Sequence, residues 1–448
     1  MINHIKTYLS GDGRSAKLRK NVAGSIVLKG ISMLVSFALV PLTIGYVSAE
    51  LYGVWLSLSS IISWVGFMDL GFALGLKNKL TEALAIGDME RGKTLVSTTY
   101  AIMALVFIPV CLILEFIVPT IDWVGLLNVS PCYSDDIVRT MHALVALCCL
   151  QFISNVIISV IAAYQQVALS NSFLVIGNII SLIIIVILTK TAEPSLWAMS
   201  LVFSLSPIVV TIVASFILFS GKYKEVSPDL RYAKKEYIKD IFSLGYKFFI
   251  INFQVLVLHQ TTNILIANVS SPIDVTNYNI AYKYLNIAML LFSMIFSPLW
   301  PAYSDAYAKK DFVWMEDNRK KMNRILLLSI GLCMLFVALS KPFYWIWLGN
   351  NVEVPFMMTL MVSMYVSAFG WVQMNTAIIN GIGKVKFQTC LAVIGMILHI
   401  PCSFFYSRFI GVYGVLLSMI LINLVFAILY HIQLNKILSG TAKGIWDK

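Results

Sequence analysis

Three lysines lie in stretches otherwise too apolar to carry a charge: Lys29, Lys247 and Lys283. A cation at the centre of a bilayer costs about 2.5–3.5 kcal/mol on insertion scales, so one that is retained faces an acid, a backbone carbonyl or a water-filled space. The residues around these lysines follow the helical period. Asn21, Ser25, Lys29, Ser32 and Ser36 recur at steps of three and four, and Asn279, Lys283, Asn286, Ser293 and Ser297 at steps of three, four or seven, so each set shares one helix face. Ser243, Lys247, Gln254 and Thr261 share a third face, while Asn252, His259 and Asn263 lie on another side of the same segment. Such stripes either line a polar cavity or serve as hydrogen-bonding contacts between helices. The chemistry they offer is non-covalent. An interior carrying these three lysines against Asp69 and Glu115 is weakly cationic and favours an anion such as a phosphate headgroup.

Each lysine has a competing explanation. Lys29 and Asp69 both lie seven residues from the same ends of their predicted spans, roughly 10 Å deep at about 1.5 Å per residue, so an ion pair between them is one reading. Lys247 is near enough to its span's end to extend its ammonium to the surface. Lys283 has no acid at its depth and is the strongest candidate for a cavity cation. Histidines at 142, 259 and 399 are scattered among spans, where hydrogen-bonded packing is the usual role; His259 alone is carried forward, with Asp69 and Asn263, as an ion-pair or coupling candidate. Pro41, Pro298 and Pro301 interrupt the helical ladder and are candidate hinges. Gly71 and Gly75 form a close-packing G-x-x-x-G.

The elements that must hold these residues follow from composition. The 448 residues are 59% hydrophobic and 12% charged, with a mean hydropathy of +0.84, more apolar than a water-soluble core can hide. A span needs about 20 apolar residues. Twelve windows qualify: 22–46, 52–76, 95–119, 139–163, 168–189, 196–220, 242–268, 276–300, 323–347, 355–379, 387–408 and 412–435. The expected fold is therefore an all-α polytopic membrane protein. The connectors and termini on one side hold 26 Lys and Arg against four on the other, which places both termini in the cytoplasm. The opposite connectors are too short for a folded domain. A cytoplasmic basic linker, 221–241, divides an N-terminal six-helix bundle (1–220) from a C-terminal one (242–448). Both halves start inside, and the interval from the first span to a charged segment is 66 residues up to Asp88 and 69 up to Asp311. That suggests parallel repeats, a transporter arrangement, although any twelve-span chain divides equally.

Several chemistries are missing. The formal charge of +11 sits between apolar runs instead of forming a basic stripe on an aqueous face, so no nucleic acid is expected. There is no GxxxxGK[ST], H-E-x-x-H, G-x-S-x-G or Cys/His metal spacing, and Asp135 and Asp136 fall in an outer connector. No enzyme, cofactor or metal is expected. Six of seven cysteines lie in apolar runs, and the basic first 20 residues lack the apolar core of a cleaved signal peptide.

Two stretches, PLTIGYVSAELYGVWLSLSSIISWVGFMDLGF (41–72, followed by GLKNKLTEALAIGD) and GYKFFIINFQVLVLHQTTNILIANVSSPIDVTNYNIAYKY (245–284), occupy equivalent places in the two halves. They resemble the polysaccharide transporter branch of the multidrug, oligosaccharidyl-lipid and polysaccharide exporter superfamily, the O-antigen and capsule-repeat flippases. The resemblance implies two six-helix bundles in a MATE-like V around a central cavity, a bacterial inner-membrane location and rocking between inward-open and outward-open states. It also implies an undecaprenyl-diphosphate-linked oligosaccharide as substrate, membrane lipids around it, and protons or sodium as candidate coupling ions. Polysaccharide polymerase and glycosyltransferases are candidate partners. Many relatives carry an acid where this chain has Asn263. The expected cavity residues are Lys29, Ser32, Ser36, Lys247, Gln254, Asn279, Lys283 and Asn286. The alternatives are a cation-coupled drug antiporter of the same superfamily, which needs intramembrane acids, and a membrane glycan polymerase or glycosyltransferase, which needs a large outer loop or an acidic motif. The predicted topology is directly checkable: a reporter that fluoresces only in the cytoplasm should give signal when inserted at 224 and none when inserted within 269–275, and the opposite pattern would invert the orientation.

Overall fold

Where no water reaches the backbone, helices satisfy every N–H and C=O within one segment. The computed structural model, which describes residues 14–65, 71–239, 241–242, 260–296, 299–350 and 352–447, is accordingly helical throughout its long elements. In chain order these are α1 (Arg14–Val47), α2 (Ala49–Val65), α3 (Phe72–Ile86), α4 (Met89–Ile117), α5 (Ser134–Ser154), α6 (Val156–Ala163), α7 (Val167–Thr191) and α8 (Leu196–Ser220). They continue with α9 (260–269), α10 (Pro272–Phe296), α11 (Leu299–Ala308), α12 (Phe312–Leu348), α13 (Phe356–Ile382), α14 (Lys386–Ile410) and α15 (Val412–Leu438). Among the described residues nine helical segments are long and apolar enough to cross a membrane, and α2 is a shorter apolar helix. The predicted span 242–268 lies largely outside the described residues.

The chain forms two compact units, Met1–Ser48, Leu58–Val124 and Ser130–Phe253 in the first, and Ala49–Ser57, Gly125–Val129 and Gln254–Lys448 in the second. In the first, Leu76 and Leu80 of α3, Leu95 and Val96 of α4, and Val156, Ile157, Val160 and Ile161 of α6 are fully buried in one core. In the second, α13 packs on α10, α11, α12 and α15, and its Met358, Val362, Met374 and Ile378 are inaccessible.

Two corrections to the linear reading concern helix ends. The span expected over 52–76 does not run through: Gly71 sits in the left-handed region (φ 82°) at the start of α3, a conformation that only glycine adopts without a Cβ penalty. Gly71 thus breaks the chain, whereas Gly75 makes the close contact that the G-x-x-x-G suggested. A Cβ at Gly75 would stand 2.0 Å from the Ile241 carbonyl oxygen. The charged stretches 77–94 and 301–324, expected as connectors, are mostly helix, because polar residues continue the α-helices beyond their apolar parts and leave only tight turns.

Those two turns are built alike. After α3, the Gly87 N–H bonds Leu84 O and the Asp88 N–H bonds Ala83 O; after α11, the Lys310 N–H bonds Tyr307 O and the Asp311 N–H bonds Ala306 O. This is the Schellman pattern, with its left-handed residue at Gly87 (φ 78°) and Lys310 (φ 59°). The next residue then caps the following helix. The Asp88 carboxylate accepts from Arg91 N at 2.9 Å and the Asp311 carboxylate from Trp314 N at 3.1 Å. The equal spacing of Asp88 and Asp311 in the two halves thus corresponds to one repeated structural device.

The basic segment 221–241 is folded onto the first unit. Tyr223, Val226 and Ile241 are fully buried, and the Asp229 and Lys234 N–H groups donate to Ser97 Oγ and Thr98 Oγ1 on α4, each at 3.0 Å. In the second unit a short C-terminal turn, Gly444–Asp447, docks against α14 and α15. Trp446 packs at a tilt against Phe387 with ring centroids 4.2 Å apart and lies 4.1 Å beneath the Lys436 ammonium. Lys384 Nζ donates to the Asp447 carboxylate at 2.7 Å, and that hydrogen bond holds the lysine above its usual pKa.

If the paired turns fix the helix ends, Asp88→Ala and Asp311→Ala should each cost about 1 kcal/mol. Lys310→Gly should instead add about 1 kcal/mol by relieving the left-handed backbone. Thermal unfolding of the purified protein in detergent reads both signs, and unchanged midpoints for the two aspartate variants would remove the caps from the account.

Candidate functional site

The polar stripe of α10 is the face of that helix left partly open. Asn279, Tyr282, Lys283, Asn286 and Leu290 are half-buried, while Val275, Tyr278, Ala281, Leu285 and Ala288 on the other sides are sealed into the second unit. At one position the stripe serves as a contact between helices. Asn279 is a helix contact: its Nδ2 donates to Asn263 Oδ1 of α9 at 2.9 Å and to Val275 O at 2.8 Å. Lys283 and Asn286 lie further along on the same face and are half-buried. Asn263 is itself buried, 8% exposed. Its neutral carboxamide accepts the Asn279 hydrogen bond through Oδ1.

On α1, Lys29 is exposed, with Ser32 and Ser36 half-buried one and two turns later. None of the ion pairs formed among the described residues involves Lys29. Pro41 is half-buried inside α1, which continues through it to Val47. Asp69, Lys247, Gln254, His259, Ser297 and Pro298 lie outside the described residues, as do the side chains of Asn21, Ser25, Ser293 and Pro301. The described backbone that flanks Pro298 consists of the end of α10 at Phe296 and the start of α11 at Leu299.

Two further intramembrane polar groups have partners on neighbouring helices. His399 on α14 is completely buried; its Nε2 lies 3.3 Å from Thr262 Oγ1 of α9 and its Nδ1 3.2 Å from Ser418 Oγ of α15, so one imidazole joins three helices. Glu115 of α4 is hydrogen-bonded to His142 Nδ1 of α5. Neither contact follows from local periodicity, because the partners are 137, 19 and 27 residues apart.

Reading by charge and amide content overlooked Tyr282. Its ring stacks on Tyr278 (centroids 6.0 Å apart) and adjoins Tyr365 of α13 (6.3 Å), which places a half-open aromatic face beside Lys283. The available signal was the i, i+4 pair of tyrosines in YNIAYKY. The face as a whole offers a cation, two amides and an aromatic ring within about three helical turns. It can bind a polar anionic group, but it contains no nucleophile paired with a base.

Comparison with known proteins places this arrangement. Over 178 residues the chain is 23% identical to the protein named "Putative O-antigen transporter" of Salmonella typhimurium (strain LT2); the match spans 39% of this chain and 41% of that relative. The fold is that of MATE transporters. A multidrug resistance MATE family transporter of the MOP superfamily in its inward-facing conformation superimposes with a TM-score of 0.72 at 13% identity, over 93% of this chain and 98% of that one. The outward-facing conformation of such a transporter gives 0.61 at 13% identity, over 97% of each chain. The model of the polysaccharide biosynthesis protein family matches residues 18–307. The chain belongs to the polysaccharide biosynthesis protein family and is a multi-pass, all-helical membrane protein with the MATE transporter fold.

Proposed function

We propose that the protein is a flippase that moves undecaprenyl-diphosphate-linked oligosaccharide repeat units from the cytoplasmic to the periplasmic leaflet of a bacterial inner membrane, by alternating access, for O-antigen or capsule synthesis. The observation that carries this reading is the partly open α10 face with Asn279, Tyr282, Lys283 and Asn286. A diphosphate crossing hydrocarbon unaided meets a prohibitive desolvation cost. A lysine on this face replaces part of its hydration, the Asn286 amide takes a sugar hydroxyl, and the half-buried Tyr282 offers an apolar surface to a sugar face. Lys29, with Ser32 and Ser36, supplies the corresponding cation on α1, and the isoprenoid tail stays in lipid.

Membership of the polysaccharide family and similarity to an O-antigen transporter support this cargo. Bending at Pro41 and around Pro298 and Pro301 would let the helices change exposure, since proline removes a ladder hydrogen bond. Protons or sodium remain candidate coupling ions, acting through Asp69 or His259, because the Asn263 carboxamide cannot carry a proton in exchange. The fold shared with multidrug transporters favours a second reading, a cation-coupled antiporter of small molecules. That reading requires a drug-resistance phenotype on expression.

Removing one hydrogen bond to a charged group typically costs about 1.5–3 kcal/mol, or roughly ten- to a hundredfold. Lys283→Ala should therefore lower surface glycan by at least about tenfold at normal protein level, with Lys283→Arg retaining most export. Undiminished glycan in Lys283→Ala would take this residue out of the mechanism, and drug resistance without any effect on glycan would favour the antiporter.

A further inference from the structure

A groove of about 380 Å³ opens on the first unit, between α4, α5 and α8, within the span of about 300–1,000 Å³ that ligand pockets occupy. Its walls are Leu150, Ile153, Ile212, Phe216 and Phe219, beneath Tyr100. Phe216 is 72% exposed and Leu150 41% exposed, so the groove continues into the apolar outer surface of the helices.

The serines in the wall do not make it polar. Ser154 Oγ donates to Gln151 O at 3.0 Å and Ser215 Oγ to Thr211 O at 2.7 Å, each back to its own helix. Thr211 Oγ1 in turn reaches Ser154 Oγ at 3.0 Å. Apart from the buried Tyr100 hydroxyl, the donor protons of this wall are used internally, so the groove suits a mainly apolar chain. Hydrocarbon is the ligand chemistry it selects.

One end of the groove is different. Ser220, Ser227 and Pro228 line it there, and the chain between Ser220 and Ser227 carries exposed Lys222 and Lys224, followed by exposed Arg231. Of the acids nearby, Asp229 is held 3.9 Å from Lys93 Nζ, which leaves Glu225 against three cations. The segment is held in place by the Ser97 and Thr98 hydrogen bonds to its backbone. Leu230 in the same segment is 81% exposed, an apolar side chain suited to the headgroup layer. A hydrocarbon groove bordered at one end by a segment with exposed basic side chains is complementary to a molecule with one apolar chain and one anionic head.

We propose that this groove is a binding site for an anionic phospholipid, with an acyl chain against Phe216 and Phe219 and its phosphate at Lys222 and Lys224. The site is separate from the α10 face and stands whether or not the cargo assignment holds. It would attach an anionic lipid to the unit through the segment that follows α8.

The test uses the full-length protein in detergent, mixed with equal amounts of phosphatidylglycerol and phosphatidylethanolamine of identical acyl chains, and counts bound lipid by native mass spectrometry. Phosphatidylglycerol should be retained in roughly tenfold excess, from two lysines opposed by one glutamate. The double variant Lys222→Gln with Lys224→Gln, confined to exposed positions, should abolish the excess and leave the thermal midpoint in lipid-free detergent unchanged. Ser215→Phe, which fills the groove, should lose both lipids. Equal retention of the two lipids, or an excess that survives removal of the lysines, overturns the proposal. So does displacement of phosphatidylglycerol by an equal concentration of undecaprenyl phosphate, which would make the groove a site for an isoprenoid chain.

Discussion

Hydrocarbon offers no hydrogen bonds, and that absence organises the whole molecule. The backbone meets it by coiling into helices, and the side chains meet it by turning back on them. Thr43 donates to Leu39 O at 2.6 Å, Thr99 to Leu95 O at 2.9 Å, Ser206 to Val202 O at 2.7 Å and Asn423 to Met419 O at 2.8 Å. Each hydroxyl or amide satisfies itself one turn away and leaves an apolar exterior. Groups too large for that solution, such as His399 and Glu115, find partners on neighbouring helices instead. Against this background, the α10 face stands out because a lysine, an asparagine and a tyrosine on it are only partly buried.

The same economy governs the turns. Each unit passes from one helix to the next by a Schellman turn followed by an aspartate cap, at Gly87–Asp88 and at Lys310–Asp311. The device satisfies the terminal N–H and C=O groups that helices leave open and reverses the chain in very few residues. Glycine supplies the left-handed residue in one unit and lysine in the other, so backbone geometry is retained where side-chain identity is not. Close backbone packing, as at Gly75 against Ile241, further ties the segment after α8 to the first unit.

Fold and cargo are carried by different residues. The helical scaffold is shared with multidrug transporters at 13% identity, so its core positions need only apolar side chains of suitable volume. The few polar positions are where chains of this fold can differ in chemistry. Here those positions combine one cation with amides and an aromatic ring and contain no carboxylate on the described α10 face.

By itself the sequence determined the membrane class, the placement of most helices and the polar stripes, because hydropathy and the 3.6-residue period are local properties summed over many residues. It also located Lys283 and Asn286 on one face of α10, and the aspartates that proved to cap equivalent helices. Tertiary structure alone decided that this face is open while Asn279 is drawn into a contact with Asn263. It decided too that Gly71 breaks a helix where a continuous span was expected, and that 221–241 lies folded on the first unit. The same holds for the pairing of Glu115 with His142 and for the burial of His399 among three helices. These outcomes rest on contacts between residues distant along the chain. Such contacts depend on how helices pack and on where the backbone turns left-handed, and neither is encoded in the periodicity of a single segment.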